Sequence, residues 1–153
     1  MVVSADDGKG VKLFKVAVSD GSAAVLVASV AHYPGWSPDD RFIIYRQTDK
    51  AGLQAVTPEG KPYPLPIRPI EFRNAVVTPY RFLPDSRGLV VLQGQYRQEN
   101  LWLADLANGQ FRQLTKLTPG FSITSFDVSP DGGSILFDRV RQNADIVLIE
   151  SKR

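Results

Sequence analysis

Cysteine is absent from the 153 residues, histidine occurs once and methionine once. Without cysteine there is no disulfide framework, no thiolate nucleophile and no Cys-ligated metal. A single histidine, His32, leaves no room for a histidine-rich metal site. No apolar run approaches the roughly 20 residues of a membrane-spanning helix. Net charge of one sign is also scarce: +2 at neutral pH gives no electrostatic reason to expect nucleic acid or a membrane surface as partner. The N-terminal Met1-Val2-Val3-Ser4-Ala5-Asp6-Asp7 lacks a basic region followed by an apolar stretch, so no secretory signal is read there. As written, the chain is expected in the cytoplasm; as part of a longer protein, the periplasm is the other compartment open to it. What is present, 43% hydrophobic and 22% charged residues, suits a soluble globular protein able to bury a core.

The strongest positive signal is an internal repeat. Ser37-Pro38-Asp39 returns as Leu83-Pro84-Asp85 and as Ser129-Pro130-Asp131, each proline 46 residues after the last. The flanks follow suit. Two residues before each proline stand Trp36, Phe82 and Val128. Five to seven residues after it come Ile43-Ile44-Tyr45, Leu89-Val90-Val91 and Ile135-Leu136-Phe137. A second apolar run follows (Leu53 to Val56, Leu101 to Leu103, Ile146 to Ile149), and then a Gly turn at Glu59-Gly60 and Asn108-Gly109. Asp20-Gly21 precedes Asn108-Gly109 by 88 residues, so the first 30 residues match the back half of a copy.

The apolar runs are short and rich in β-branched and aromatic residues, which favours strands. They are continuous rather than alternating, which means that both faces of the strand are covered. In the S-P-D corner, proline presets the second position of a type I turn, while Ser and Asp accept from nearby amides. Asn108-Gly109 and Asp20-Gly21 suit a tight two-residue hairpin. Each copy therefore reads as strand A, S-P-D corner, strand B, polar loop, strand C, Gly hairpin, strand D. In the copy around Pro84 these are about 78–82, 89–94, 100–105 and 110–115. A period of roughly 40–50 residues with four strands is the signature of a β-propeller. The expected fold is all-β: a partial propeller of about 3.5 four-stranded antiparallel blades in one domain. Blade one (1–30) holds strands C and D only, blade two spans 31–66, blade three 78–116, and blade four 121–153 lacks strand D.

The S-P-D-[DG] corner, the apolar strand after it, and Asn100-Leu101-Trp102-Leu103-Ala104-Asp105-Leu106-Ala107-Asn108-Gly109-Gln110 with Arg112-Gln113-Leu114-Thr115 resemble TolB-like propeller repeats over about residues 11–150. The stretch from Phe126 to Glu150 is similar to the end of propellers fused behind bacterial Ser/Thr kinase domains or winged-helix regulators. That resemblance implies a sensor or interaction module. The kinase glycine loop, H-R-D and D-F-G motifs do not occur, so it implies no kinase activity. The second copy departs from the pattern with Leu83 in place of serine.

Catalytic readings fare poorly. Gly35-Trp36-Ser37-Pro38-Asp39 is the nearest approach to a nucleophile elbow, yet the residue after the serine is Pro38, which has no N–H to offer an oxyanion. Ser129 repeats Ser37, so the repeat already accounts for it. His32 reads as a polar residue on the strand entering blade two. Asp6-Asp7, Asp39-Asp40 and Asp127 lack calcium-loop spacing and read as turn caps. Gly8-Lys9-Gly10 lacks the G-K-[ST] of a phosphate loop and reads as a B-to-C turn. No cofactor is expected. Pro38, Asp39, Pro84, Asp85, Pro130 and Asp131 are expected to be structural.

A partner would meet the face formed by the B-to-C loops and blade-to-blade links, which contributes Lys50, Tyr96, Arg97, Gln98, Arg141 and Gln142. Tyr among Arg and Gln is a composition found in protein interfaces. Residues 58–79 hold six of the eleven prolines and read as an edge strand or extended link over blade two, with a proline-rich ligand for another domain as the sharper alternative. An incomplete ring leaves apolar blade faces bare, so association is expected, either with itself or with a missing neighbour. The function expected is a non-catalytic protein-interaction or sensor module. The alternative is the gating propeller of a prolyl-oligopeptidase-like serine peptidase without its catalytic domain.

Overall fold

The computed structural model describes residues 1–70 and 80–141. Twelve strands fall into four sheets among these residues. Blade one is β1 (Val2–Asp6), β2 (Val11–Val16) and β3 (Ala23–Val27). Blade two is β4 (Ala31–Trp36), β5 (Ile43–Gln47) and β6 (Leu53–Val56). Blade three has all four strands: β7 (Tyr80–Phe82), β8 (Gly88–Gln93), β9 (Asn100–Asp105) and β10 (Phe111–Gln113). Blade four contributes β11 (Phe126–Val128) and β12 (Ile135–Phe137), while the stretch read as its strand C, Ile146 to Ile149, lies outside the described residues. Every pairing is antiparallel between chain neighbours, an up-and-down meander. Among the described residues no helix is long and apolar enough to cross a membrane.

The continuous apolar runs bury both faces, and the repeat fixes which side chain faces which way. Ile43 and Tyr45 pack with Leu13 and Ala31 between blades one and two. Ile44 points the other way and packs with Leu89 and Val91 between blades two and three. Val90 and Leu92 face blade four, with Phe126, Ile135 and Phe137. The sheets thus stack side by side with alternate residues of one strand serving two different cores, which is the arrangement of a partial β-propeller.

The corners are equivalent in all three copies. The amides of Asp40, Ser86 and Gly132 donate to the carbonyls of Ser37, Leu83 and Ser129 at 2.8–3.0 Å, and all three donors have positive φ. Asp39, Asp85 and Asp131 each accept from the amide two residues on. Ser37 and Ser129 also accept from the amides of Phe42 and Ser134. Leu83 cannot do so, and its side chain fills the space beside Gly88 instead, where an added Cβ would lie 3.0 Å from it. The Asp39 amide donates to Ser86 Oγ at 2.9 Å, so adjacent corners touch.

Two expectations change. Blade one has a third strand, β1, and so is more than its C and D half. Val2 to Asp6 shows no strong apolar pattern because its apolar residues end at Val3 apart from Ala5, and of them only Val2 packs on the core with blade two. The Gly hairpins are not two-residue turns. Ala17 and Asp105 donate to the carbonyls of Ser22 and Gln110, enclosing four residues each. A two-residue type I′ turn needs two positive φ values, and here only Gly21 (73°) and Gly109 (72°) have one. Asp105 accepts from the amides of Ala107 and Asn108, which holds the wider loop.

Candidate functional site

Up-and-down strands sort the connections onto two faces. On one, the S-P-D corners meet the hairpins, as where the Leu106 amide donates to the Arg87 carbonyl. On the other, B-to-C loops meet blade-to-blade links: Thr48 donates to the Val30 carbonyl and Gly120 to the Arg97 carbonyl. On this second face polar and aromatic side chains meet where blades three and four join.

Three segments build the patch. The loop after β8 turns through Gly94 and Arg97, both at positive φ, and the Gln98 amide closes it onto the Gln95 carbonyl. Gln98 forms a parallel bridge with Phe121 in the link between blades. The segment after β12 is pinned by Ser122 and Val140, which exchange both amide–carbonyl bonds at 2.9 Å. Asp138 accepts from the amides of Thr124 and Ser125 and from the Thr124 hydroxyl, and these bonds hold its carboxyl below the usual range. The Arg139 guanidinium sits 4.2 Å from the Phe121 ring centre and that of Arg141 6.0 Å, while Arg97 lies 5.4 Å over Tyr96. These distances are those of cation–π contacts.

Beneath the patch lies Glu99, buried, with one carboxylate oxygen lacking a partner among the described residues. Burial pushes its carboxyl up from the ordinary value. Ser122 is buried as well, and its hydroxyl is likewise unpartnered among the described residues. Glu99 and Ser122 each follow one member of the Gln98–Phe121 bridge.

Gln98 and Arg141 therefore meet at Phe121, Arg97 reaches the same link through its carbonyl to the Gly120 amide, and Tyr96 stacks under the Arg97 guanidinium. Lys50 does not join them: it lines a separate groove of about 370 Å³ between β6 and the proline-rich segment. Gln142 lies outside the described residues. Phe121 and Arg139, the centre of the patch, were missed by sequence reading. The available signal was an aromatic residue directly after the Pro119-Gly120 turn in the link between blades. Glu99 gave none, because one acid in a polar loop is ordinary.

The elbow reading of Ser37 meets its geometry here. The side chain is buried and accepts from the Phe42 amide inside the corner. His32 sits at the opposite end of β4, paired across the sheet with Arg46. Among the described residues no group of three or more His, Cys, Asp or Glu could hold a metal ion.

No protein-family model and no curated protein sequence matches the chain. Solved structures do. TolB from Acinetobacter baumannii superposes with a TM-score of 0.60 over 93% of this chain, at 11% identity. The fold is that of a β-propeller. An oligogalacturonate lyase in complex with manganese superposes with a TM-score of 0.60 over 84% of the chain, at 18% identity. At such identities the likeness concerns the propeller fold alone. The chain spans 41% and 35% of the lengths of those two proteins.

Proposed function

We propose that this propeller segment is a non-catalytic protein-interaction or sensor module, of the kind fused to bacterial regulators, and that its partner docks on the B-to-C face where blades three and four meet. The observation carrying the reading is the convergence of three separate segments on Phe121, with Gln98 bridged to it and Arg139 and Arg141 over its ring. Guanidinium groups backed by aromatic rings, on loops fixed by amide–carbonyl bonds, suit an acidic protein surface: stacked Arg loses less freedom on pairing with a carboxylate, and Tyr and Arg are enriched among residues that dominate binding. The same module associates with a second copy or with a neighbouring blade, through apolar residues such as Leu136, which is 80% exposed.

Fluorescence anisotropy with a labelled poly-glutamate peptide tests the docking face. The unaltered protein should bind, less tightly as salt rises, and Arg139→Ala/Arg141→Ala should weaken binding about tenfold, as expected for losing charged contacts at an interface. Equal binding by the double variant, or tighter binding of single-stranded DNA than of the peptide, would overturn the reading.

A further inference from the structure

The repeat gives the outer edge of blade two an internal control. Leu53 of β6 stands opposite Arg46, and Leu101 of β9 stands opposite Leu92, the residue one period after Arg46. The two leucines therefore hold the same place on strand C. Alternate residues of a strand bond to the same neighbour. Ala55 gives its carbonyl to the Tyr63 amide, so Leu53, two residues before it, also turns its backbone outward. In blade three this rung is filled: the Leu101 carbonyl accepts from the Leu114 amide at 2.9 Å, and the Leu101 amide donates to Thr115 Oγ1 at 2.9 Å. In blade two, continuing the register of Val56 with Pro62 would set Leu65 opposite Leu53. Among the described residues no backbone bond joins Leu53 to the proline-rich segment.

The segment bows away from β6 at this point. Its Pro66 carbonyl lies against Gly109 in the hairpin of blade three, and it returns to blade two only at Gly52, where a Cβ would lie 2.9 Å from the Pro69 Cα. Val56 to Gly52 is four residues along the strand, and Pro62 to Pro69 is seven along the segment, so there is chain to spare. The groove of about 370 Å³ lies between them. Leu53, Ala55, Tyr63 and Leu65 wall it, and Lys50 and Arg68 supply positive charge. No Asp or Glu is among the described residues that line it.

We propose that this groove binds a short peptide by its C-terminus, with an apolar last residue completing the open rung at Leu53 and its carboxylate held beside Lys50. The ligand's last amide donates to the Leu53 carbonyl, as the Leu114 amide does to Leu101. Its carboxylate accepts from the Leu53 amide, as Thr115 Oγ1 does from Leu101. The direction agrees, because a chain antiparallel to β6 runs toward Gly52 and ends next to Lys50. A carboxylate meeting an ammonium and an amide makes charge-assisted bonds, roughly twice as strong as neutral ones. Strand addition and capture of a terminal carboxylate are both general modes of peptide recognition. The volume is at the low end for ligand pockets, about 300–1,000 Å³, which suits a short peptide. The site lies apart from the arginines of the docking face, so each reading can fail alone.

Calorimetric titration with the N-acetylated tripeptide Ala-Ala-Leu tests the site. It should bind one to one, and nuclear magnetic resonance should show exchange of the Leu53 amide slowing on binding. The C-terminal amide of the same tripeptide should bind about tenfold more weakly, and Lys50→Ala should cost the acid form about as much while leaving the amide form unchanged. An ester in place of the last peptide N–H keeps the carboxylate but removes the donor to Leu53, and should bind about fivefold more weakly. No binding of the acid at millimolar concentration, equal affinity for acid and amide, or an unaffected ester would overturn the proposal. So would an acid whose binding falls with Arg139→Ala/Arg141→Ala and not with Lys50→Ala, since the carboxylate would then sit on the docking face.

Discussion

Blades two and three fill the same outer slot by different means. Blade three closes with β10, a regular strand hydrogen-bonded to β9. In blade two the slot after β6 keeps one bridge, Val56 with Pro62, made by the bonds from the Tyr63 amide to the Ala55 carbonyl and from the Thr57 amide to the Lys61 carbonyl. Pro62, Pro64, Pro66 and Pro69 have no N–H to donate, so a ladder cannot continue. The segment remains extended all the same. Tyr63, Leu65 and Ile67 point inward onto the core between blades two and three, and the prolines alternate outward. Phe42 stacks on Tyr63 at 4.6 Å and meets Phe82 of blade three edge-on at 5.7 Å. Arg68 lies 4.6 Å over Phe111. One edge is held by backbone bonds and the other by side-chain packing, because period-2 burial survives where donors do not.

The greatest expected loss comes from removing the packing that substitutes for the ladder. Phe42→Ala should destabilise the protein by about 3–5 kcal/mol, the range for a buried Phe→Ala change. Denaturant unfolding measures the loss, and hydrogen exchange at Tyr63 should show the strap loosening first. A cost under 1 kcal/mol would mean that the prolines alone hold the strap.

Next comes a matched pair of glycines. Gly109 and Gly21 sit 88 residues apart in equivalent hairpins with nearly the same φ, 72° and 73°. A Cβ on Gly109 would lie 2.0 Å from the Pro66 carbonyl oxygen, whereas one on Gly21 meets nothing within 4 Å. Gly21→Ala should therefore cost only the left-handed strain, about 1 kcal/mol. Gly109→Ala should cost about 1–2 kcal/mol more as the strap is displaced. Equal melting temperatures for the two variants would break the claim that the strap is seated on blade three.

The smallest effect concerns Glu99. Its folded-state carboxyl is raised by burial, so the folded protein binds the proton more tightly than the unfolded chain. Stability should therefore fall as pH rises past the unfolded value near 4.5. Glu99→Gln removes the buried charge and should raise Tm at pH 7 by about 2–4 °C, equivalent to about 1 kcal/mol. The gain should vanish as pH drops toward 4. A destabilising effect at pH 7 would mean that the carboxylate has a cationic partner.

Much of this architecture was legible beforehand because it is periodic. The S-P-D corners and the paired apolar runs mark strands by local chemistry, and β7 to β10 fall close to their expected bounds. The β4 bulge was not legible. Tyr33 takes a φ of 54° there, and the Tyr80 hydroxyl donates to the Tyr33 carbonyl at 2.5 Å. A Cβ on Gly35 would lie 2.8 Å from that hydroxyl. The donor stands 47 residues away from the carbonyl it satisfies, so no local pattern announces the pair. The candidate site behaves the same way. Tyr96, Arg97, Gln98 and Arg141 stood out as loop residues, but Phe121, which Gln98 and Arg141 meet, lies on a different connection.

The sequence by itself determined the repeat, the strand order within a blade and the two-sided burial of the middle strands. These follow from turn chemistry and side-chain alternation, which act over a few residues. Only the tertiary structure decided which blade edge is laddered and which is strapped, and which loops share a patch. Those outcomes depend on what stands a full period away, and local forces do not reach that far.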